Sequence, residues 1–140
     1  MAKDIQARAP RHIFDPPAIP LRVLVVDDLD GAAMLLGVIV KRLGHMVSMA
    51  HTGQEAMEKA RLMKPEVVFL DIGLPDVDGY EVCREMRREE WGASAAIVAV
   101  TGRDDPADIS RSALAGFDRH VVKPMEFSVL REILQAKSRR

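Results

Sequence analysis

The chain has 140 residues, of which 48% are hydrophobic and 29% are charged, and its formal net charge is −1. That length suits one domain with a core, and the near-neutral charge gives no basic surface for nucleic acid. A single cysteine excludes an internal disulfide, and no apolar run approaches the roughly 20 residues that span a bilayer. We therefore expect a cytoplasmic protein that binds neither nucleic acid nor membrane.

The first 20 residues differ in composition from the rest of the chain. They contain four prolines and no sustained apolar period, which disfavours helix and favours extended chain. We predict a flexible arm over residues 1–20 and one domain over residues 21–140. Ile13 and Phe14 leave a docking strap open as the alternative to a disordered terminus.

Short apolar runs then alternate with segments whose apolar residues recur every three or four positions. The runs predict five strands, at residues 21–26, 46–51, 67–71, 95–100 and 119–122, and the segments predict a helix after each strand. In the first helix the expected core-facing residues are Ala32, Leu35, Leu36, Ile39 and Leu43. Strands this apolar are expected to be buried on both faces, in a parallel sheet covered by helices on each side, which is an α/β fold of five βα units.

Turn and capping residues mark the ends of these helices. Asp30 is placed to cap the first helix and Gly44 to end it. Thr52 is expected to cap the second helix, which ends at Lys64 before a proline, and Asp105 is expected to cap the fourth. These signals also locate the loops that follow the strands.

Polar residues follow four of the five predicted strands. Asp27 and Asp28 follow the first, Asp71 ends the third, Thr101 follows the fourth, and Lys123 follows the fifth. Because the carboxyl ends of neighbouring parallel strands meet at one edge of the sheet, these side chains should converge. Three carboxylates repel one another unless a cation joins them, and an oxygen-only ligand set with open positions suits Mg2+.

A phosphoryl group is what this combination is suited to accept. An ammonium and a hydroxyl can bind the oxygens of a transferred phosphoryl group, and an aspartate carboxylate can take that group as an acyl phosphate. We therefore interpret Asp71 as a phosphoryl acceptor beside a Mg2+ site.

Two rival classes of protein fit these residues less well. An aspartate-nucleophile phosphohydrolase needs a second acid at the position of Gly73, and in a flavin-binding module the acids within residues 27–30 would repel the flavin phosphate.

Some residues outside this set receive weaker interpretations. Asp76 and Asp78 resemble a fragment of a calcium loop, lack its later glutamate, and are interpreted as solubilising loop residues. His45 shows no metal-ligand spacing and is given no role. Met34 and Val38 extend the apolar surface of the first helix, which predicts either a partner contact or deeper burial there.

Four segments together carry a family resemblance. They are VLVVDD at residues 23–28, FLDIGLPDVDG at 69–79, IVAVTG at 97–102 and GFDRHVVKP at 116–124. In this order and spacing, residues 21–137 resemble the receiver domain of response regulators in two-component signalling. The resemblance implies a flavodoxin-like, doubly wound sheet with strand order 2-1-3-4-5. It also implies a phosphorelay role in which Asp71 takes a phosphoryl group from a phosphohistidine donor and slowly loses it again, so that the protein is not an enzyme acting on a separate substrate.

The same resemblance assigns roles to single residues. Mg2+ would be held by Asp28, Asp71 and the backbone carbonyl of Gly73, with Asp27 acting through water. The remaining assignments are phosphoryl-oxygen contacts for Thr101 and Lys123, a cis peptide bond before Pro124, and a switch in which Thr101 passes the phosphorylation state to His120.

The resemblance also implies partners. The donor would be a sensor histidine kinase or a histidine phosphotransfer protein, the downstream protein target is unknown, and the domain would be a monomer or a weak dimer. No output domain is recognisable after residue 137, which predicts a stand-alone receiver. A receiver fragment of a hybrid histidine kinase, and a degenerate receiver that acts as an interaction scaffold, stay open as alternatives.

Overall fold

The computed structural model describes residues 19–28, 30–102 and 106–138, without the side chains of residues 30 and 32. In this part of the chain five strands alternate with five α-helices. In chain order they are β1 (Arg22–Val26), α1 (Asp30–Arg42), β2 (Met46–Ala50), α2 (Gly53–Met63), β3 (Val67–Asp71), α3 (Gly79–Arg88), β4 (Ala96–Thr101), α4 (Pro106–Ala115), β5 (Arg119–Val122) and α5 (Phe127–Ser138). Each predicted strand and helix is present, whereas the predicted arm lies outside the described residues apart from residues 19 and 20.

The five strands form one parallel sheet in the order β2-β1-β3-β4-β5. Helices α1 and α5 pack against one face, and α2 and α3 pack against the other. The parallel α/β fold that the strand and helix pattern predicted is therefore confirmed, as are the doubly wound sheet and the strand order that the resemblance implied. This arrangement brings the carboxyl ends of β1, β3, β4 and β5 side by side.

The expectation that all strands are buried on both faces is wrong at the edge of the sheet. Strands β1, β3 and β4 are buried almost throughout, but Met46 of β2 is 60% exposed and the next three residues are only half-buried. The reason is that β2 pairs with β1 alone, so the helices cover it incompletely. Edge strand β5 also has an exposed residue, Val122.

The predicted core stripe of α1 is displaced around the helix. Leu35, expected in the core, is 61% exposed, whereas Ala33, Gly37 and Val40 are buried. The buried side is centred on Gly37, where an added Cβ would lie 2.8 Å from the sulfur of Met49 on β2. A glycine adds nothing to an apolar pattern, so the sequence pointed to the neighbouring residues instead.

The displacement leaves an apolar surface on α1. Met34, Leu35 and Val38, which we call the α1 patch, are all more than half exposed. Of the two outcomes predicted for this helix, deeper burial is therefore wrong. The patch lies in the first turns of α1, close to the carboxyl edge of the sheet.

The predicted helix ends are found wherever the structure describes them. The Thr52 hydroxyl caps α2 by accepting a hydrogen bond from the N–H of Glu55 at 3.0 Å. Lys64 ends α2 with a left-handed φ of 50°, and Gly44 follows α1 with φ 96°. The caps predicted at the Asp30 side chain and at Asp105 lie outside the described residues.

A second polar cluster lies at the amino ends of β4 and β5, opposite the predicted site. The Arg87 guanidinium donates four hydrogen bonds, to the carbonyl groups of Gly92 (2.8 Å), Ala95 (2.7 Å) and Gly116 (2.9 Å) and to the Asp118 carboxylate (2.7 Å). Asp118 also accepts from the N–H of Ile97 at 2.8 Å. This group, the amino-edge cluster, fastens the end of α3 to the starts of both strands.

Candidate functional site

The predicted site residues lie along one edge of the sheet. Asp27 follows β1, and Asp71 ends β3, its neighbour in register. Thr101 ends β4, and Lys123 follows β5. Because β1, β3, β4 and β5 are consecutive in the sheet, the structure brings these four residues to the same edge, as the sequence predicted.

Lys123 joins two of the carboxylates directly. Its Nζ lies 2.9 Å from Asp27 Oδ2 and 3.2 Å from Asp71 Oδ2. Both aspartates are more than nine-tenths buried, at 6% and 7% exposure, and Thr101 is buried beside them. The Lys123 N–H donates to the Thr101 carbonyl at 2.7 Å, and the peptide bond from Lys123 to Pro124 is cis, as the resemblance implied. The ammonium is therefore positioned by the backbone of β4 as well as by the carboxylates.

Asp28 completes a group of three carboxylates. One oxygen from each of Asp27, Asp28 and Asp71 lies within 4.8 Å of the others, and Asp28 is the exposed member. Within the described residues, three negative charges here face the one ammonium of Lys123, an imbalance that a divalent cation would offset. An oxygen-only set with one exposed ligand suits Mg2+, which retains several of its waters. The residues present therefore fit the predicted metal.

Burial and the neighbouring opposite charges act in opposite directions on the pKa values of Asp71 and Lys123. Burial raises the pKa of Asp71 above its usual value, although the N–H of Gly73 and the Lys123 ammonium both act to lower it. For Lys123, burial alone would lower the pKa, but the carboxylates of Asp27 and Asp71 together outweigh it and raise the pKa above the usual value. Lys123 is therefore held as an ammonium beside the carboxylate that is predicted to react.

The loop after Asp71, which we call the acceptor loop (residues 72–78), is closed tightly. Gly73 donates its N–H to Asp71 Oδ1 at 3.0 Å, and Gly79 donates to the carbonyl of Ile72 at 3.1 Å. A Cβ at Gly79 would come within 2.6 Å of the Ile72 Cα, so the two ends of the loop touch at a position that only glycine fits. The backbone carbonyl of Gly73 stays a predicted metal ligand.

Two acids of this loop were interpreted wrongly from the sequence. Asp76 is a helix cap, not a solubilising residue, because its carboxylate accepts from the N–H groups of Gly53 (2.8 Å) and Gln54 (3.0 Å) at the start of α2. Asp78 caps α3 by accepting from the N–H of Tyr80 at 2.9 Å. The second cap carried a local signal, since an aspartate directly precedes the helix. The first did not, because its partners lie 22 and 23 residues earlier in the chain.

The predicted switch residue is bonded to a residue that sequence reasoning missed. His120 is half-buried on β5, and its Nδ1 lies 2.8 Å from the hydroxyl of Ser112 on α4. Ser112 is fully buried, so the hydrogen bond links the centre of α4 to the strand that leads to Lys123.

Comparisons with known proteins agree with this geometry. A family model described as "Response regulator receiver domain" matches residues 23–135. The Transcriptional regulatory protein AfsQ1 of Streptomyces coelicolor is 34% identical over 118 residues, which are 84% of this chain and 51% of AfsQ1. A putative response regulator from Chloroflexus aurantiacus has a similar crystal structure, with a TM-score of 0.80 and 27% identity over 87% of this chain and all of that chain.

A second solved structure bears on the metal. The receiver domain of the sensor histidine kinase PA1611 from Pseudomonas aeruginosa, which holds a magnesium ion in its active-site cleft, is 27% identical, with a TM-score of 0.78 over 86% of this chain and 98% of that domain. The chain spans about half the length of the curated relatives it matches. Among its described residues, no helix is both long enough and apolar enough to cross a membrane.

Proposed function

The chain belongs to the response regulator receiver domain family, and from this premise we propose that it accepts a phosphoryl group on Asp71 from a phosphohistidine donor. The observation that carries the proposal is a buried carboxylate at the end of β3 that contacts an ammonium and shares its edge of the sheet with two further carboxylates. This combination matches the needs of phosphoryl transfer to an aspartate, namely a nucleophile and positive charge for the phosphoryl oxygens.

The transfer itself is a displacement at phosphorus. A carboxylate oxygen of Asp71 forms the new O–P bond while the P–N bond to the donor imidazole breaks. The imidazole leaves with the bonding electron pair and takes a proton from solvent. The Lys123 ammonium, already 3.2 Å from Asp71, and the Thr101 hydroxyl would bind the phosphoryl oxygens.

Magnesium belongs to the same proposal. Asp28, Asp71 and the carbonyl of Gly73 would hold the ion, with Asp27 acting through water. The contact of Asp27 with Lys123 supports its assignment to an indirect role. When bound, the ion offsets the charge of the carboxylates and of the phosphoryl oxygens.

Loss of the phosphoryl group would return the domain to its starting state. Water attacks phosphorus, the O–P bond breaks, and the Asp71 carboxylate and inorganic phosphate are released. A Cβ at Gly73 would stand 3.8 Å from Asp71 Oδ1, so a glycine at this position leaves that side of the acceptor open to water. The protein acts only on its own phosphoryl group, so we do not class it as an enzyme.

We further propose that Thr101 and His120 convert phosphorylation into a change at α4. The supporting contact is the hydrogen bond from His120 to Ser112, through which a turn of the imidazole ring would alter the hold on the helix. Phosphorylation then shifts the balance between two arrangements, with a coupling typically of about 1–3 kcal/mol.

The partners follow from the position of the acceptor. A donor histidine must approach the carboxyl edge, and the helix that begins there, α1, exposes the apolar α1 patch. We propose a sensor histidine kinase or a histidine phosphotransfer protein as the donor, and a protein target that binds after phosphorylation. A cytoplasmic location is part of this proposal, supported by the free, buried thiol of Cys83.

Incubation with Mg2+ and phosphoramidate tests the central claim. We expect the wild type to gain one phosphoryl group by mass spectrometry and the Asp71→Asn variant to gain none. Asp118→Asn makes the same substitution in the amino-edge cluster and should keep the labelling. Equal labelling of wild type and Asp71→Asn would contradict the proposal.

The switch is tested on the same wild-type sample by NMR. The ring nitrogen signals of His120 should change on phosphorylation, and unchanged signals would show that His120 takes no part in the switch.

A further inference from the structure

Helix α4 is anchored by few buried residues. Of its ten residues Ser112 and Ala115 are buried, whereas α3, also ten residues long, buries five. The apolar residues Ile109 and Leu114 of α4 are 44% and 88% exposed. Since hydrophobic stabilisation scales with the apolar area removed from water, α4 is held less strongly than α3. Polar contacts therefore carry a larger share of the placement of α4.

One of these contacts runs directly to the acceptor loop. Arg111 of α4 donates from Nη2 to Asp78 Oδ2 at 3.1 Å, while Asp78 Oδ1 accepts the N–H of Tyr80 and caps α3. The last residue of the acceptor loop thus binds α3 and α4 with its two carboxylate oxygens. Because the loop is closed between Ile72 and Gly79, a shift near Asp71 would be passed to this carboxylate.

An aromatic ring fixes the orientation of the guanidinium. The Cζ of Arg111 lies 4.3 Å from the centroid of the Tyr80 ring, which is a cation–π contact. Tyr80 is buried, and its ring meets Phe117 edge to face, with centroids 6.3 Å apart. Phe117 lies in the turn between α4 and β5, so this stack joins the start of α3 to α4 and to the turn that follows α4.

Between the acceptor loop and α4 there is a groove of about 230 Å3. Its lining includes Gly73 and Thr101 from the site and Asp78, Tyr80 and Arg111 from the contacts just described. Close packing resists small displacements, whereas a void beside a weakly anchored helix leaves room for a second position. Arg111 lines this groove, and its two contacts connect α4 to the acceptor loop and to α3, together with the long hydrogen bond that the Tyr80 hydroxyl donates to the Asp108 carbonyl at 3.5 Å.

We propose that Arg111 is a latch that sets the position of α4 relative to the acceptor loop and thereby regulates the phosphoryl acceptor. The regulatory part rests on the proposed function of Asp71. In the latched conformation Lys123 binds the free carboxylate of Asp71, so the latch belongs to the unmodified domain. Modification of Asp71 must rearrange the contact between Lys123 and Asp71. By reciprocity, a change that opens the latch favours modification.

The proposal is tested on the full chain with beryllofluoride, which mimics a phosphoryl group on a carboxylate, in the presence of Mg2+. Arg111→Gln removes the positive charge and the planar guanidinium group. It should raise amide hydrogen exchange in α4 and strengthen beryllofluoride binding, each by about threefold to tenfold, the range expected for one exposed ion pair with one cation–π contact. Arg111→Lys should restore part of both effects.

The chain offers a matched control. Arg131 of α5 lies over the Phe127 ring, with its Cζ 5.9 Å from the centroid, so Arg131→Gln removes the same charge from another cation–π pair. It should leave α4 exchange and beryllofluoride affinity at wild-type values. Asp78→Asn keeps a capping oxygen for α3 but loses the charge, and should reproduce Arg111→Gln. The two changes combined should add little to either alone, because they break one contact.

The possible outcomes separate the latch from a merely structural role. If Arg111→Gln lowers the midpoint of urea unfolding but matches Arg131→Gln in exchange and affinity, the latch is refuted. Faster α4 exchange with unchanged affinity refutes the coupling to Asp71. If the wild type binds no beryllofluoride, the proposed function itself fails, and the exchange comparison still decides whether Arg111 holds the helix.

Discussion

At the carboxyl edge of the sheet three carboxylates share one ammonium among the described residues, whereas at the amino edge Arg87 is matched by Asp118 and three carbonyl groups. Both groups are built around charged side chains at an edge of the same sheet. The group at the carboxyl edge leaves negative charge that a bound cation would offset. The second leaves its donors and acceptors paired. The difference fits the proposed chemical role of charge at the carboxyl edge and a folding role at the amino edge.

The largest expected effect comes from breaking the amino edge. Arg87→Ala leaves three carbonyl groups and the Asp118 carboxylate without their shared donor, and should lower the free energy of unfolding by about 2–4 kcal/mol. Urea unfolding followed by the fluorescence of Trp91, the single tryptophan, measures the loss. Arg88→Ala makes the same substitution at the next, exposed position and should change stability by roughly 0.5 kcal/mol or less.

A thiol next to this cluster reports where the structure opens. Burial raises the pKa of the Cys83 thiol to about 11, so alkylation at pH 8 should be very slow in the wild type. Cys83 lies one helical turn before Arg87 on α3, and the Arg87→Ala variant should alkylate faster below its unfolding transition. The folded variant should still accept a phosphoryl group on Asp71. Loss of labelling in a folded Arg87→Ala sample would break the separation between the two edges.

At the carboxyl edge we expect the opposite effect on stability: removing the charge of Asp71 should raise the free energy of unfolding, by less than Arg87→Ala lowers it. Because burial raises the pKa of Asp71, the stability this group contributes is complete below its usual value of 3.8 and is lost as pH rises through the raised folded-state pKa. The carboxylate is therefore a cost at neutral pH. Asp71→Asn should raise the free energy of unfolding by about 1 kcal/mol without Mg2+ while abolishing function.

Mg2+ gives this prediction its control. The ion should stabilise the wild type more than Asp71→Asn, because a ligand that binds only the folded state raises stability with the logarithm of its concentration relative to its dissociation constant, and the variant lacks one ligand. Urea unfolding without Mg2+ measures the effect of Asp71→Asn on stability, and the same experiment with Mg2+ measures how much the ion stabilises each protein. A variant that is less stable than the wild type in metal-free buffer would show that the carboxyl edge, too, is arranged for folding.

The two edges also differ in how far the sequence predicts them. Asp27, Asp71, Thr101 and Lys123 each follow an apolar run, so the strand pattern and the rule for parallel sheets are enough to predict that they meet. The proposed acceptor role rests on their chemistry. Sequence reasoning succeeds here because position along each strand determines the edge at which a residue lies.

No comparable signal marks the contacts made across the chain. Arg87 and Asp118 are 31 residues apart, and Arg111 and Asp78 are 33 apart, with nothing local to pair them. Asp76 caps a helix that precedes it by more than 20 residues. The error at Leu35 has a related cause, since the close approach of α1 to β2 at Gly37 depends on tertiary packing. Contacts of this kind become visible only when the elements are assembled.

The smallest predicted effect is on the pH dependence of stability, and it involves His45 at the amino edge of the sheet. His45 is buried before β2, and its Nδ1 accepts the N–H of Leu21 at 2.9 Å, which requires an unprotonated nitrogen. Burial lowers the pKa of His45 from 6.5, although Glu66 acts to raise it. The unfolded chain therefore binds the proton first, so stability is complete above pH 6.5 and falls as the pH drops toward the lowered folded-state value.

His45→Asn isolates this contribution. The asparagine Oδ1 occupies the place of Nδ1 and can accept the same hydrogen bond, worth about 1 kcal/mol, without titrating. Urea unfolding at pH 7.5 and pH 5.5 should show a smaller loss of stability for the variant than for the wild type. Equal losses in His45→Asn and the wild type would mean that acid weakens the domain at its carboxylates, and the amino edge would then contribute no pH dependence to folding.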